Sequence, residues 1–377
     1  MKITIIGTAY PYRGGLSVYN ERLANEFLKN NHEVIIETFT LQYPNFLFPG
    51  KTQYADWEAP DNLNINRSVN SVNPFNWIKV GKKIKKQKPD IVIIKFWLPF
   101  MGPAFGTIAK IIRKNKHTKV ISILDNIIPH EKRAGDKLFA KYFVKNVDGF
   151  VAMSKSVLND LSIFDTKKTR EFCPHPLYDN FGKKISREQA LSNLNLSNDY
   201  KYILFFGLIR DYKGLDLLIK AFADKRLREH KVKLIIAGEF YSDSEKYLSL
   251  IKENNLDEHI ILKPDFIPDA EVANYFCAAD LIAQPYKTAT QSGVTQIAYH
   301  FEKPMLVTNV GGLAEIVPDK KVGYVVNSDV ADISDALLDF IANKSINDFI
   351  DNILIEKKKY EWTRMTDTIF NVYKQLL

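Results

Sequence analysis

The sequence predicts an α/β protein made of two doubly wound domains, and three observations lead to this prediction. The chain has 377 residues, which is longer than a single hydrophobic core usually supports. Short apolar segments alternate along it with amphipathic ones, a pattern typical of parallel sheets flanked by helices. The alternation is interrupted near residue 180 and begins again near residue 202. We therefore expect two sheets, each with its own helices.

Strands and helices are assigned from the hydrophobic pattern. Five apolar segments of the first half are predicted as strands: 3–7, 33–38, 91–96, 119–124 and 149–153. Amphipathic segments at 18–29 and 107–116 are predicted as helices. Six strands are predicted in the second half: 202–206, 233–237, 260–263, 281–284, 305–308 and 323–326.

The join between the halves is predicted at 173–184, where two prolines and a glycine break regular structure. The predicted parts are a first domain at 1–175, a second domain at 185–355 and a helical segment at 356–377. The pattern of 362–377 is helical, with Ile369, Tyr373 and Leu376 on one side. A return of this helix to the first domain is compatible with the pattern.

Composition narrows the class of protein. The two cysteines, Cys173 and Cys277, are far apart in sequence, which favours neither a disulfide framework nor a cysteine zinc site. The N-terminal apolar run is too short for a secretion signal. No run approaches the roughly 18 to 20 apolar residues that a spanning helix needs. We expect a cytoplasmic protein whose only membrane contact is peripheral.

Charge is unevenly distributed along the chain. Residues 1–180 hold 27 Lys and Arg against 16 Asp and Glu, whereas the net charge of the whole chain is +8. The basic half predicts an anionic partner such as a membrane surface or a phosphorylated acceptor. No nucleic-acid-binding motif accompanies it, so nucleic acid is not expected.

Glycines follow the first predicted strand. A dinucleotide fingerprint would need glycine at positions 9 and 12, which are Ala9 and Tyr12. The sequence therefore disfavours a bound NAD or FAD. Gly14 and Gly15 precede a helix, whose free N–H groups are able to face a phosphate or a sugar hydroxyl. The alternative is a tight turn without a ligand.

Two cations follow the first strand of the second half. After Gly207, Arg210 and Lys213 occupy the turn at the carboxyl edge of the sheet, where open α/β sheets bind ligands. Two positive charges there can neutralise a diphosphate and stabilise it as a leaving group. The alternative is an ordinary pair of solvated basic residues.

A further loop after a strand is predicted to bind phosphate. Ser292 and Gly293 stand at a predicted helix start, where N–H groups and a hydroxyl are available to phosphate oxygens. Gln291, Val294 and Gln296 belong to the same stretch, and Gly312 lies in a second glycine loop after the next strand. Each loop alone is explained by helix capping, but several at one sheet edge favour a binding site.

These segments resemble the family 4 glycosyltransferases. Arg210 and Lys213 match the family's diphosphate-binding Arg and Lys, residues 303–315 match its most recognisable stretch, and Gly14–Gly15 also match. The resemblance implies the GT-B fold, in which two Rossmann-like domains face a cleft and the second binds the donor. It implies transfer of a sugar from a nucleoside-diphosphate sugar to a saccharide or lipid-linked acceptor in cell-surface polysaccharide or glycolipid synthesis. Retention of anomeric configuration is implied as well.

One motif departs from the family. Many members carry two glutamates eight positions apart around Ser292, where this chain has Ala289 and Ile297. We expect Thr290, Gln291 or Gln296 to replace them through hydroxyl or amide hydrogen bonds. A degenerate, non-catalytic nucleotide-sugar-binding protein is one alternative. A nucleotide-sugar 2-epimerase of the same architecture is another.

Polar residues of the first half complete the expected catalytic set. Asp125, Asn126 and His130 follow a predicted strand, and a His or a carboxylate there can orient sugar hydroxyls or accept a proton. The resemblance favours a catalytic role for Asp125 and His130 without deciding between them and Asn126. No Asp-x-Asp pair and no metal-ligand spacing is found, so we expect metal-independent transfer and no cofactor.

A basic segment in the first half has two interpretations. Trp77, Val80 and Ile84 share one helical side among lysines that include Lys82 and Lys83. This pattern suits a helix lying on an anionic membrane. The alternative, which the usual behaviour of such helices favours, is a solvated surface helix that buries one apolar stripe in the core.

Overall fold

The protein is described from a computed structural model, which covers residues 1–44, 52–55, 58–129, 133–289, 292–342 and 346–377. It consists of two compact units. The first comprises Met1–Pro176 together with Glu361–Leu377, and the second comprises Leu177–Tyr360. No helix in these ranges has the length and apolar character needed to cross a bilayer.

The first unit contains a seven-stranded parallel sheet in the order β3-β2-β1-β4-β5-β6-β7. Its strands are β1 Lys2–Ile6, β2 Glu33–Leu41, β3 Ile65–Asn70, β4 Ile91–Phe96, β5 Lys119–Leu124, β6 Gly149–Ala152 and β7 Arg170–Phe172. Its helices are α1 Gly15–Lys29, α2 Pro74–Gln87, α3 Gly102–Ile112, α4 Asp136–Asn146, α5 Lys155–Leu161 and, from the C-terminal segment, α15 Trp362–Gln375. All six residues of β4 are buried, as expected for a parallel strand covered by helices on both faces.

The second unit contains a six-stranded parallel sheet in the order β10-β9-β8-β11-β12-β13. Its strands are β8 Lys201–Phe206, β9 Val232–Ala237, β10 Ile260–Lys263, β11 Leu281–Gln284, β12 Met305–Thr308 and β13 Gly323–Val326. Its helices are α6 Arg187–Asn193, α7 Leu215–Phe222, α8 Lys225–Arg228, α9 Glu245–Glu253, α10 Val272–Ala278, α11 Gly293–His300, α12 Leu313–Ile316, α13 Val330–Ala342 and α14 Ile346–Glu356.

In both sheets the strand order reverses at one point, between β1 and β4 in the first and between β8 and β11 in the second. Two doubly wound α/β sheets were predicted, and the structure confirms them. In such sheets the crevice at the carboxyl ends of the two strands flanking the reversal is where ligands bind. The reversal points therefore identify where to look for a site in each unit.

Two edge strands were missed by the sequence analysis. The strand β3, with sequence INRSVN, is largely polar and only Val69 is fully buried. The strand β7 has three residues, Arg170–Phe172, none of them buried. Both strands lie at an edge of the sheet, where a strand pairs on one side only, and both lack the continuous apolar run that hydrophobic patterning detects.

The terminal helix α15 packs on the first unit. It contacts α1 and the strands β5, β6 and β7. Trp362, Met365, Ile369 and Val372 are buried at helical spacing, so the buried face is turned from the predicted one: Ile369 belongs to it, whereas Tyr373 and Leu376 are only half-buried. A Cβ atom at Gly149 would lie 2.6 Å from Val372 Cγ1, so the helix covers β6 closely.

The basic helix α2 buries the stripe that the sequence singled out. Val80 and Ile84 are buried in the core of the first unit, and Trp77 packs against it. The Trp77 indole N–H donates to the carbonyl of Asn70 at 2.6 Å. Val80 and Ile84 are therefore core residues and Trp77 packs against the core, so this stripe does not lie on a membrane.

Candidate functional site

In the second unit, the carboxyl edge at the strand reversal carries the predicted cations. The strand β8 ends at Phe206, and Gly207 follows with φ +94°, a left-handed conformation that favours glycine. A Cβ atom at Gly207 would lie 3.4 Å from Lys213 Nζ and 3.8 Å from Val294 Cγ2. The missing side chain thus leaves a small space lined by the Lys213 ammonium and by the start of α11.

Lys213 lies in a short 3-10 turn before α7 and is buried. Its Nζ lies 5.6 Å from the centre of the Tyr286 ring. Burial, together with the nearby charge of Arg210, lowers the pKa of Lys213 to about 7. A cation held out of water with no ion-pair partner among the described residues costs free energy that a bound anion would recover.

Arg210 is half-buried beside Lys213, and its guanidinium lies 5.2 Å from the centre of the Tyr241 ring. A cation–π contact of this kind holds the guanidinium near the ring without using its N–H donors, which stay available to a ligand. The neighbouring Asp211 is engaged elsewhere, with Lys246 Nζ at 3.0 Å and the Tyr247 hydroxyl at 3.0 Å. Asp211 is therefore not the ion-pair partner of the two cations.

Ser292 is the N-cap of α11. Its Oγ accepts a hydrogen bond from the Val294 N–H at 3.2 Å and lies 3.3 Å from the Tyr286 hydroxyl. Ser, as a residue with a short side-chain oxygen, is a preferred N-cap because it satisfies one of the free N–H groups of the first turn. The cap uses the Ser292 hydroxyl as an acceptor, whereas the predicted phosphate contact would use its O–H as a donor, so the two roles are compatible.

Gly293 is constrained by a packing contact. A Cβ atom at this position would lie 2.6 Å from Tyr178 Cε2, so the ring of Tyr178 occupies the space that a side chain would need. Packing against Tyr178 therefore explains why position 293 is a glycine, and the sequence analysis had not considered this explanation.

Two glutamine amides are buried at the same edge. Gln284 ends β11 and Gln296 lies in α11, and neither amide oxygen or nitrogen has a hydrogen-bond partner among the described residues. An unpaired buried amide costs about 1–3 kcal/mol. Gln296 was predicted from the sequence, whereas Gln284 was missed, although a polar residue closing the apolar strand LIAQ was a usable signal.

The remaining predicted donor residue, Gly312, is buried and forms the N-cap of α12. Gly238, which follows β9 with φ +145°, was not predicted, and its Cα packs against the backbone of Gly207. Gln291 lies outside the described residues.

In the first unit, the polar residues at the strand reversal form a buried cluster. Asp125 follows β5, and its Oδ1 lies 2.7 Å from Nζ of Lys95 in β4. Nζ of Lys95 also lies 3.3 Å from the centre of the Tyr19 ring. Desolvation lowers the pKa of Lys95 to about 8, although the Asp125 carboxylate opposes the shift.

His175 joins this cluster. Its ring lies 5.2 Å from the ring of Tyr19, and its Nδ1 lies 2.7 Å from the carbonyl oxygen of Pro176. Burial and the charge of Lys95 lower the pKa of His175 to about 3, so this imidazole is neutral at ordinary pH. Lys95 and His175 were missed by the sequence analysis, although a lysine inside the apolar strand IVIIKF was a usable signal.

The other predicted residues of the first unit have simpler surroundings. Gly14 is the N-cap of α1, with φ +99° and open space where a side chain would be. Gly15 begins the helix and is exposed, and Asn126 is half-buried. His130 lies outside the described residues. No group of three or more His, Cys, Asp or Glu in the described ranges is arranged to hold a metal ion.

Two family profiles match the chain. The profile described as "Glycosyltransferase Family 4" matches residues 13–170, and the one described as "Glycosyl transferases group 1" matches residues 200–343. Together they span about four fifths of the chain. The chain belongs to glycosyltransferase family 4.

Similar proteins agree with this membership. An uncharacterized glycosyltransferase of Methanocaldococcus jannaschii is 26% identical, with 100% of this chain and 99% of the relative aligned. Among solved structures, sucrose-phosphate synthase from Thermosynechococcus elongatus superposes with a TM-score of 0.79 at 16% identity, covering 100% of this chain and 98% of that chain. Anabaena HepE, solved in complex with UDP and glucose, has a TM-score of 0.73 at 14% identity, and both chains are covered in full. This family 4 glycosyltransferase therefore has the GT-B fold that its sequence predicted.

Proposed function

We propose that this glycosyltransferase binds a nucleoside-diphosphate sugar at the carboxyl edge of β8 and β11 and transfers the sugar to a saccharide or lipid-linked acceptor with retention of configuration. The observation that carries the proposal is the buried ammonium of Lys213, which lies at the space left by Gly207, with the guanidinium of Arg210 nearby over the Tyr241 ring. The complex of Anabaena HepE with UDP and glucose, a fold neighbour, supports a donor of this class.

The two cations account for the chemistry that the proposal requires. Cleavage of the bond between the sugar and the diphosphate develops negative charge on the leaving phosphate oxygens. Positive charges that are already in place stabilise that charge more than they stabilise the ground state, which lowers the barrier. Burial strengthens the effect because water does not screen the charges there.

The transfer proposed is metal-independent and takes place in the cytoplasm, in synthesis of cell-surface polysaccharide or glycolipid. Arg210 and Lys213 supply the positive charge that a divalent ion would otherwise supply. Activity is accordingly expected to survive EDTA. Loss of activity with EDTA and its recovery with added magnesium or manganese would contradict this part of the proposal.

The test follows nucleotide release from UDP-, GDP- and ADP-sugars with and without acceptors. Arg210→Ala and Lys213→Met are each expected to reduce turnover by about 10²- to 10³-fold, the usual loss when one preorganised charge contact is removed. Lys220→Ala is the matched control, because Lys220 is an exposed lysine on the neighbouring helix α7. Equal turnover of Lys213→Met and Lys220→Ala would remove Lys213 from the site.

Acceptor-dependent nucleotide release separates glycosyl transfer from the two alternatives that the sequence left open, and the sugar configuration in the same incubations separates these two from each other. An epimerase changes the configuration of the sugar and needs no acceptor. A binding protein that has lost catalysis retains nucleotide affinity but releases no nucleotide from any donor. The loss of the glutamate pair at Ala289 and Ile297 is the observation that favours the latter alternative.

A further inference from the structure

Helix α2 has a second face, which the core does not cover. Because an α-helix has 3.6 residues per turn, residues 75, 78, 79, 82 and 86 lie along one side. All five side chains are exposed, and this side is opposite to the buried Val80 and Ile84. We call these five residues the outer face of α2.

The N-terminal end of the outer face is apolar. Phe75 is 84% exposed and Ile78 is 41% exposed, and Val72, just before the helix, is 44% exposed. Single exposed apolar residues are ordinary on protein surfaces, but three within seven positions form a patch that suggests a contact. Aromatic and branched aliphatic side chains are those that enter the boundary between lipid headgroups and acyl chains.

The rest of the outer face is basic. Lys79, Lys82 and Lys86 continue it toward the C-terminal end and form no ion pair with a described residue. Lys83, in contrast, lies to one side and bonds the buried carboxylate of Glu37 at 2.7 Å. The three outer lysines are thus free to meet an external anion.

The positive charge extends over the whole helical layer. Helix α3 contacts both α2 and α4, so the three helices form one surface. Helices α2, α3 and α4 and the turn Arg113–Asn115 contain eleven Lys and Arg against one acidic residue, Asp136. Two of the eleven, Lys83 and Arg113, are paired with Glu37 and Asp148, which leaves a clear positive excess. A positive layer of this extent is complementary to a broad anionic surface rather than to a single anion.

We propose that the outer face of α2 docks this glycosyltransferase on an anionic lipid bilayer. Phe75 and Ile78 would insert among the headgroups, and the three lysines further along the same face would contact the anionic groups. A lipid surface accounts for both the exposed apolar residues and the lysines of the outer face. Its negatively charged headgroups and its apolar interior lie close enough together for one helix face to contact both. The inference does not depend on glycosyl transfer, because binding to vesicles needs neither donor nor acceptor.

The experiment measures sedimentation of the full chain with vesicles of phosphatidylcholine containing about one third phosphatidylglycerol, and with vesicles of phosphatidylcholine alone. The wild-type protein is expected to bind the anionic vesicles and to be released as salt rises, because exposed charges are screened over about 8 Å at physiological ionic strength. The triple variant Lys79→Gln, Lys82→Gln, Lys86→Gln should weaken partitioning by about two orders of magnitude, given the contribution of each lysine near a charged membrane. Phe75→Ser should weaken it by about tenfold, because it removes the inserted ring.

The matched control is Lys225→Gln, Lys252→Gln, Lys321→Gln, which removes the same charge from exposed lysines of the second unit. It should bind like the wild type, and circular dichroism should show that all variants are folded. Equal loss of binding in the two triple variants would assign the effect to net charge and overturn the proposal. Binding that survives Phe75→Ser unchanged, or equal binding to neutral vesicles, would overturn it too. Capture of an acidic protein in place of vesicles would assign the face to another partner.

Discussion

Lys95 Nζ lies 2.7 Å from Asp125 Oδ1, and both side chains are buried where the strand order of the first sheet reverses. Lys95 is held further by the Tyr19 ring, at 3.3 Å from its centre, and by a contact of 3.6 Å with Met153 Sδ. The carboxylate that the sequence analysis assigned to catalysis therefore has a fixed, charged neighbour. The ion pair orients Asp125 at this edge of the sheet.

The pair should respond to mutation as a unit. Lys95→Met leaves the Asp125 carboxylate buried without its ion-pair partner, and we expect a loss of about 3–5 kcal/mol in stability, as for other broken buried pairs. Asp125→Asn in the same background should restore part of the loss, because no buried charge remains. Scanning calorimetry on the two single variants and the double variant gives the coupling between the two sites. Additive losses would show that the contact contributes nothing.

Donor binding should depend on pH through Lys213. Burial and Arg210 lower the pKa of Lys213 to about 7, and a bound diphosphate favours the protonated form. Nucleoside-diphosphate affinity should therefore be greatest below about pH 7 and fall as the pH rises above this value, with uptake of a proton on binding. Isothermal titration at pH 8 in buffers of different ionisation enthalpy counts the protons. Lys213→Met is the control, and uptake that persists in this variant would assign the titration to another group.

Gly293 should be required for packing. The Cβ of alanine would lie 2.6 Å from Tyr178 Cε2, well inside the optimal separation of about 3.5–4.0 Å between carbon atoms. Gly293→Ala should therefore lower the melting temperature, at a cost of about 1–3 kcal/mol. Adding Tyr178→Leu should recover part of the loss. A stable Gly293→Ala that binds nucleotide poorly would instead support close approach of phosphate to this glycine.

Gln296 allows stability and binding to be separated. Its buried amide has no partner among the described residues, so Gln296→Leu should leave the melting temperature unchanged or raise it. If the amide holds the donor, nucleotide affinity should fall by about 1–3 kcal/mol, the cost of an unpaired polar partner. Calorimetric melting and titration with UDP measure both quantities. Unchanged UDP affinity would remove Gln296 from the donor site.

Hydrophobic patterning was sufficient for the strands that have a continuous apolar run, including β10 and β13 at the edges of the second sheet. The predicted strands 91–96, 119–124, 260–263, 281–284, 305–308 and 323–326 have the bounds that the structure gives them. The edge strands Ile65–Asn70 and Arg170–Phe172 escaped because their stability depends on pairing with a neighbour that the local sequence does not specify. Local pattern also placed helix α15 but misjudged which of its residues are buried, since the packing surface is set by distant strands.

In the candidate site, too, the local sequence predicted some features, whereas others depend on residues that are distant in sequence. Arg210, Lys213 and Gly207 follow a predicted strand directly, so strand topology alone placed them at the carboxyl edge. The ring of Tyr178 beside Gly293, and the ring of Tyr19 over Lys95, join residues more than 70 positions apart. No spacing rule reveals such neighbours, and they determine which glycine is needed for packing and which lysine is desolvated.

The second unit is one uninterrupted stretch, Leu177–Tyr360, inserted into a first unit whose pieces lie on either side of it in sequence. The two crossings run beside each other, because the Leu177 N–H donates to the Tyr360 carbonyl at 2.9 Å. On the ribosome, every residue of the second unit is made before Trp362 and Val372. The strand β6 therefore stays uncovered by helix α15 until the inserted stretch has been synthesised. The same arrangement allows a deletion variant in which a short linker joins Pro176 directly to Glu361. This variant would lack the second unit and contain the first unit as one continuous chain.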